Sequence, residues 1–382
     1  MVFIKFIFYT SVLLIGYSYV LYPLILLALR RPRAKNGTWP EDFTPSVSIV
    51  IAAYNEEKVI RKRIENLLWL EYPKDQLEII IASDGSDDKT AEIVKEYQSK
   101  GITLFDYQER RGKVNVLNET VPKARGEIIV FSDANTFFKS NTISKLVRRF
   151  QDDKVGCVCG ALHFTTPEGS TSAALEGVYW RYENFLKTVE GQFGSLLGAN
   201  GALYAVRKEL FYPCPPDTII EDFVIPMKIL ERGLKNVYEQ DAIALEDAAK
   251  HIVQEKKRRI RIGAGDFQSI DLLWSMLDPG RGFPALAFWS HKILRWLTPF
   301  FMVGAFVANF LLLGSPFFRS IFMLQCDFYA LAVLGQVLTR AGFPVKVLSL
   351  CYYFVSMNLA LLLGFVNYVT GAHSVKWERT ER

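Results

Sequence analysis

VSIVIAAYNEE, residues 47–57, is the stretch on which the fold turns. Val47 to Ala53 is a short, β-branched apolar run behind Pro45. It is too short for a core helix and does not alternate, so it reads as a parallel strand buried on both faces. Tyr54, Asn55, Glu56 and Glu57 follow as a polar loop, and Ile60, Ile64, Leu67 and Leu68 then repeat at helical spacing. The same order recurs twice. LEIIIA (77–82) runs into SDGSDD (83–88) and a helical pattern through Ala91, Ile93, Val94 and Tyr97. EIIVF (127–131) runs into SDAN (132–135), with a helix beginning near Asn141. Strand, polar loop and helix in repetition predict an α/β domain with a Rossmann-like, mostly parallel sheet. Such sheets bind ligands beyond the carboxyl ends of their strands, where Asn55, Asp84 and Asp133 all fall.

Outward from this domain the chain becomes greasy. Of 382 residues, 50% are hydrophobic and only 22% charged, which excludes a disordered chain. From Leu297 to Gly371 the charged side chains are Arg319, Asp327, Arg340 and Lys346 alone. Apolar runs at about Phe3 to Leu29, Leu297 to Leu313, Ser320 to Leu338 and Val347 to Val369 predict one amino-terminal and about three carboxy-terminal membrane spans. Arg30, Arg31, Arg33 and Lys35 behind the first run place the domain in the cytoplasm, on a multi-pass protein of the cell membrane. His291, Lys292 and Arg295 are expected to snorkel while Phe288, Trp289, Ile293, Leu294 and Trp296 face lipid. The expected divisions are an anchor with its basic flank at 1–36, a catalytic domain at 37–265, an amphipathic interface segment at 266–296, a transmembrane region at 297–371 and a tail at 372–382. The net charge of +5 is too mild for a nucleic-acid footprint. The five cysteines have neither zinc spacing nor a disulfide framework, and Cys157 and Cys159 share one face of a strand.

No GxGxxG or GxxxxGK[ST] occurs, so a nicotinamide enzyme and a P-loop ATPase are both disfavoured. Asp133 and Asn135 are oxygen-bearing residues of the kind that hold Mg²⁺ or Mn²⁺ against a diphosphate. Gly198, Ala199 and Asn200 are small enough to let backbone approach a ligand. Glu221 and Asp222, adjacent at a helix start, point about 100° apart, so one can face a site as general base while the other binds a basic residue.

In this order the motifs resemble the membrane-bound family 2 glycosyltransferases, the group of the cellulose, chitin, hyaluronan and poly-N-acetylglucosamine synthases. AAYNEE (52–57) and SDGSDDKT (83–90) resemble the nucleotide loops, RRGKVNVLN (110–118) the GK-x-x-x-LN element, and SDAN (132–135) the DxD metal motif. GANGALYAVR (198–207) resembles the acceptor-side strand and IED (220–222) the TED motif. The resemblance implies a GT-A fold that transfers a sugar with inversion from a nucleotide donor, a UDP-sugar by preference, with Mg²⁺ or Mn²⁺. It assigns Tyr54, Glu56, Asp84, Lys113, Asp133 and Arg261 to the donor, Asp133 and Asn135 to the metal, and Asp222 to the base. Gly198, Ala199, Asn200, Glu221, Arg258 and Ile262 fall on the acceptor side.

Two positions depart from the family pattern. Asn135 replaces a metal-binding Asp, and in the QxxRW region Arg258 replaces Gln and Ile262 replaces the Trp that stacks on the acceptor sugar, while Arg261 matches. The missing Trp points away from a long processive polymer and toward one or a few sugars added to a lipid-linked or membrane-proximal glycan. The alternatives are a processive synthase that exports its polymer, and a non-catalytic membrane scaffold that binds nucleotide-sugar or glycan. A homo-oligomer or envelope-biosynthesis partners are compatible with either.

Overall fold

The computed structural model describes residues 1–31, 43–165, 171–247 and 252–372. Arg33, Lys35 and the tail from Lys376 onward lie outside them. The chain opens on a long helix, α1 (Val2–Leu29), with a π-helical turn at Tyr17–Leu21. The α/β domain then runs β1 (Val47–Ala53), α2 (Ile60–Leu68), β2 (Leu77–Asp84), α3 (Thr90–Lys95), β3 (Ile102–Tyr107), α4 (Lys113–Thr120), β4 (Ile128–Ser132), β5 (Phe137–Phe138) and α5 (Thr142–Val147). Its second half comprises β6 (Val155–Thr165), α6 (Thr171–Gln192), β7 (Tyr204–Arg207), α7 (Glu221–Glu231) and β8 (Lys235–Asp247). α8 (Ile252–Leu272) carries the chain across residue 265 without a break. Beyond it come α9 (Phe283–Trp296), α10 (Thr298–Leu311), α11 (Pro316–Arg340) and α12 (Lys346–Val369).

The eight strands form one sheet in the order β3-β2-β1-β4-β7-β6-β8-β5. β1 lies between β2 and β4, parallel to both, with Val47 opposite Leu77 on one side and Ile128 on the other. Every residue of β1 is buried, which is why its sequence is continuously apolar rather than alternating. The sheet turns antiparallel at β7, so it is mixed, with its parallel half carrying the first loops. One face packs Val47, Ile49 and Ile51 against Ile60, Ile64 and Leu67 of α2 and Leu146 of α5. The other packs Val50 and Ala52 with Val116 and Leu117 of α4, Ile225 and Ile229 of α7, and both Cys157 and Cys159. α7 is shared between two cores: Phe223, Met227 and Leu230 turn from the sheet toward Ala264 and Phe267 of α8 and toward Phe288, Ile293 and Trp296 of α9. The amino end of α7, where Glu221 and Asp222 sit, therefore lies on the seam between the sheet domain and the helices below it.

Among the described residues, three helices are long and apolar enough to cross a membrane: α1, α11 and α12. The pair α9 and α10, bent by 57°, makes a fourth if it counts as one span. Their outward faces are largely apolar, with Phe3, Leu13, Met323, Leu324, Val333 and Val347 all exposed. α8 is clamped to α12 where Gly263 meets Gly364; a Cβ on Gly364 would sit 2.7 Å from the α8 backbone.

α9 differs from the expectation of a snorkelling, lipid-facing segment. Phe288, Ile293 and Trp296 are buried in the core, and His291 and Arg295 are buried with them. The polar groups turn inward because α6 supplies acids for them. Glu183 pairs with His291, Lys292 and Arg295, and Glu190 accepts from Tyr22 and contacts His291 Nδ1 at 2.8 Å.

Candidate active site

The site is assembled at the carboxyl ends of β1, β2 and β4, with the amino end of α7 closing it from the opposite side. The first two loops are laced together. Asn55, in the left-handed region at φ 55, accepts from the Asp87 amide through Oδ1 and donates its own amide to Ser86 Oγ. The Glu56 amide donates to Thr90 Oγ1 and the Glu57 amide to Asp88 Oδ2. Tyr54 lies under the Arg110 guanidinium, 3.8 Å from ring centre to Cζ. Asp84 is fully buried and accepts from the amides of Arg111 (2.7 Å) and Gly112 (2.9 Å), which fixes the loop that leads into α4.

That loop delivers Lys113, at the first position of α4, to the centre of the cleft. Its Nζ stands 2.9 Å from Asp133 Oδ1 and 2.9 Å from Glu221 Oε1, so it ties the end of β4 to the start of α7. Burial works against the ammonium charge, but Asp133, Glu221 and Asp222 together hold its pKa above the ordinary lysine range. Asp222 Oδ2 accepts the Gly201 amide at 2.9 Å, and its carbonyl accepts the Ala199 amide. Burial first, then the charge of Glu221, push the Asp222 carboxyl up to about 6, with Lys113 opposing.

Gly201 is the point where these groups converge. A Cβ built there would lie 3.1 Å from Asp222 Oδ2, 3.5 Å from Lys113 Nζ and 3.6 Å from Asp133 Oδ2. Gly198, at φ +72, lets the chain turn over the ring of Phe223, where a side chain would collide at 2.4 Å. Residues 198–203 form this turn, and the strand proper begins at Tyr204. Asn200 accepts from the buried Lys187 of α6. Across the seam, Arg261 of α8 donates to the Ile219 carbonyl at 3.2 Å; burial lowers its pKa, against the fields of Glu221 and Asp222.

The structure thus brings together Lys113, Asp133, Glu221, Asp222, Ala199 and Gly201, with Arg261 close enough to feel the acids. Tyr54, Glu56 and Asp84 line the neighbouring loops. Ile262 packs into the apolar core beneath the seam, and Arg258 stands one turn before it on α8. Asn135 is turned by a hydrogen bond from its Nδ2 to Glu246 Oε1 of β8, 3.1 Å, which leaves its amide oxygen directed away from that partner.

Three neighbours were not singled out from sequence. Arg63 is fully buried beneath the end of β4, donating to Ser132 Oγ at 2.8 Å and stacking on Phe138. A lone arginine inside the apolar stripe of α2 was its only mark. Glu246, which turns Asn135, and Asp266 of α8 had no sequence signal, since their neighbours come from distant strands and helices.

Asp133 and Asn135 supply hard oxygen atoms of the kind that suit Mg²⁺ or Mn²⁺. Among the described residues no three His, Cys, Asp or Glu side chains gather to hold a metal by themselves. The donor set fits an ion completed by diphosphate and water, not a closed protein cage.

Comparison with known proteins bears on what this cleft does. Residues 48–212 match the family model described as glycosyl transferase family 2. Over 118 residues, 30% of the chain and 25% of the relative, it is 43% identical to beta-monoglucosyldiacylglycerol synthase of Trichormus variabilis. Over 229 residues, 59% of the chain and 55% of the relative, it is 27% identical to poly-beta-1,6-N-acetyl-D-glucosamine synthase of Staphylococcus aureus. The matches thus span a quarter to about half of these relatives' own length. Among solved structures, the mannosyltransferase PcManGT from Pyrobaculum calidifontis, in complex with GDP-Man and Mn²⁺, superposes with a TM-score of 0.73 over 95% of this chain and 99% of that one, at 21% identity. The GT-A architecture with flanking apolar helices expected from the sequence is the observed one.

Proposed function

We propose that this chain, whose residues 48–212 match the glycosyl transferase family 2 model, moves a sugar from a nucleoside-diphosphate sugar onto a lipid-linked or membrane-proximal glycan acceptor, with inversion. The observation that carries this reading is the convergence on Gly201 of a carboxylate with a raised pKa, a lysine and the carboxylate at the end of β4. The donor nucleotide lies along the loops of Tyr54, Glu56 and Asp84, and Lys113 meets its diphosphate. Asp133 and the Asn135 amide oxygen would hold a divalent ion, whose charge would offset that of the departing diphosphate. Arg261 adds positive charge from the α8 side. Asp222 takes the proton of the acceptor hydroxyl, and Glu221 keeps Lys113 in place. The acceptor oxygen attacks the face of the anomeric carbon opposite the leaving group, so no protein nucleophile is needed.

The apolar helices support an acceptor that stays with the membrane, with the α/β domain on the cytoplasmic side. The beta-monoglucosyldiacylglycerol synthase relative favours a lipid acceptor, and Ile262 in place of an aromatic platform favours short products. The poly-beta-1,6-N-acetyl-D-glucosamine synthase relative supports the second reading, a processive synthase. A ladder of long oligomers from purified protein selects the second; single additions select the first.

The test is release of nucleoside diphosphate by the purified chain from UDP-sugars and from GDP-mannose, the sugar nucleotide bound by the Pyrobaculum neighbour. It is run with Mn²⁺ or Mg²⁺, with and without membrane lipid, and with chelator. The expected result is metal-dependent release from one donor, raised by lipid. No release from any donor overturns the reading.

A further inference from the structure

The inward stripe of α2 carries Ile60, Ile64 and Leu67, and in its midst Arg63, which is wholly buried. Its hydrogen bonds go to neutral groups, Ser132 Oγ through Nη2 and Asn66 Oδ1 through Nη1, both at 2.8 Å. Its Nε has no hydrogen-bond partner among the described residues. A buried charge held in this way is costly, and an apolar residue of similar volume would serve the packing of α2 better. The presence of Arg63 is explained by what it holds.

Its two partners govern the two ends of the segment 132–138, which carries Asp133 and Asn135. At the far end, Asn66 Oδ1 also accepts the Phe138 amide and Asn66 Nδ2 donates to the Phe138 carbonyl, each at 2.8 Å. The Phe138 ring centre lies 4.1 Å from Arg63 Cζ. At the near end, the backbone ladder between β4 and β7 stops at Phe131 opposite Tyr204. Beyond it a side chain makes the link: Ser132 Oγ accepts from Arg63 and donates to the Ala202 carbonyl at 2.9 Å. Ala202 follows Gly201, whose amide is bound to Asp222 Oδ2 and where a Cβ would meet Asp222, Lys113 and Asp133. The contacts therefore run unbroken from α2, through the end of β4, to the turn on which Asp222 rests.

We propose that Arg63 is a positioning residue for sugar transfer: through Ser132 and Ala202 it holds Asp133 and the Gly201–Asp222 pair at a fixed separation. This rests on the transferase reading and adds to it the element that keeps the donor side and the acceptor side of the cleft in register. Arg63 touches no substrate, and it neither gains nor loses a proton in the step. Its planar fork suits the task, since one nitrogen serves each end of the segment. Register matters because a displacement of about 1 Å between reacting groups costs about a hundredfold in rate.

The experiment uses the purified full chain, the labelled sugar nucleotide that the parent turns over among UDP-sugars and GDP-mannose, and membrane lipid extract as acceptor. It reads turnover of transfer into lipid, sugar transferred per nucleoside diphosphate released, and, by calorimetry, affinity for Mn²⁺ with UDP or GDP. Ser132→Ala cuts the link to Ala202 but leaves Arg63 on Asn66 and Phe138, and should lower transfer turnover about tenfold. Arg63→Met should lower it about thirtyfold. In both, nucleotide affinity should stay within about threefold. Sugar transferred per diphosphate released should fall about threefold or more, because water then competes with an acceptor that is out of register. The double variant should fall no further than Arg63→Met, since both changes cut one chain of contacts. The transfer-to-release ratio does not depend on how much of a preparation is folded, so a loss of stability alone leaves it at the parent's value. Transfer within about twofold of the parent in Ser132→Ala, losses that multiply in the double variant, or an unchanged ratio overturns the proposal while leaving the transferase reading intact. If Arg63→Met does not fold, Ser132→Ala decides. Absence of donor turnover in the parent overturns the transferase reading and this proposal with it.

Discussion

Two ionic clusters, one below the sheet domain and one at the cleft, behave differently in this molecule. In the lower one, Glu183 and Glu190 of α6 meet His291, Lys292, Arg295 and Tyr22: Glu183 has three basic partners, and Glu190 takes Tyr22 and His291 on one oxygen. Burial opposes ionisation of Glu183, but Lys292, His291 and Arg295 overcome it and hold its pKa well below the ordinary range. In the upper one, Asp133, Glu221 and Asp222 share Lys113, and the carboxyl that gains least from it, Asp222, is left with a raised pKa. A cluster in which bases outnumber acids, as around Glu183, fastens helices together. A cluster with one carboxylate too many is poised to take a proton.

That difference can be broken from either side. Asp133→Ala should lower turnover about a thousandfold at saturating donor, because in the proposed mechanism the ion would lose its anionic ligand from the chain. The check is steady-state release of nucleoside diphosphate across a metal titration. Glu183→Ala should cost about 3–5 kcal/mol of stability by stranding buried cations, while donor KM of the folded protein stays within threefold. Thermal unfolding read alongside donor KM tests both halves. Gly201→Ala places a methyl against Asp222 Oδ2 and should lower turnover about tenfold with little change in folding. The smallest effect is the pH response. Asp222 acts as a base only when ionised, so its raised pKa places the acid limb of kcat/KM near pH 6, with a tenfold fall per unit below it. The same limb should be absent in Asp222→Asn.

Much of the upper cluster was legible in the sequence because its residues follow strands that are buried on both faces. VSIVIAA, LEIIIA and EIIVF announce themselves by unbroken apolarity, and the polar loops after them contain Asn55, Asp84 and Asp133. β3 escaped notice because it is an edge strand in which Ile102 alone is fully buried, so its pattern is diluted. The lower cluster was not legible at all. His291 and Glu183 are separated by 108 residues, and only the folded chain shows that α6 supplies the acids that turn α9 inward. Asp266 was hidden for the same reason: its neighbours Asp222, Lys292 and Glu183 come from three other helices.

The most direct test of the account is transfer from labelled donor by Asp222→Asn beside the parent, with donor affinity measured on the same preparations. Donor affinity within threefold and transfer reduced at least about a hundredfold is the expected result, since a positioned general base contributes on that scale or more. Transfer within threefold of the parent at equal donor occupancy would contradict it, and would remove Asp222 and the upper cluster from the chemistry.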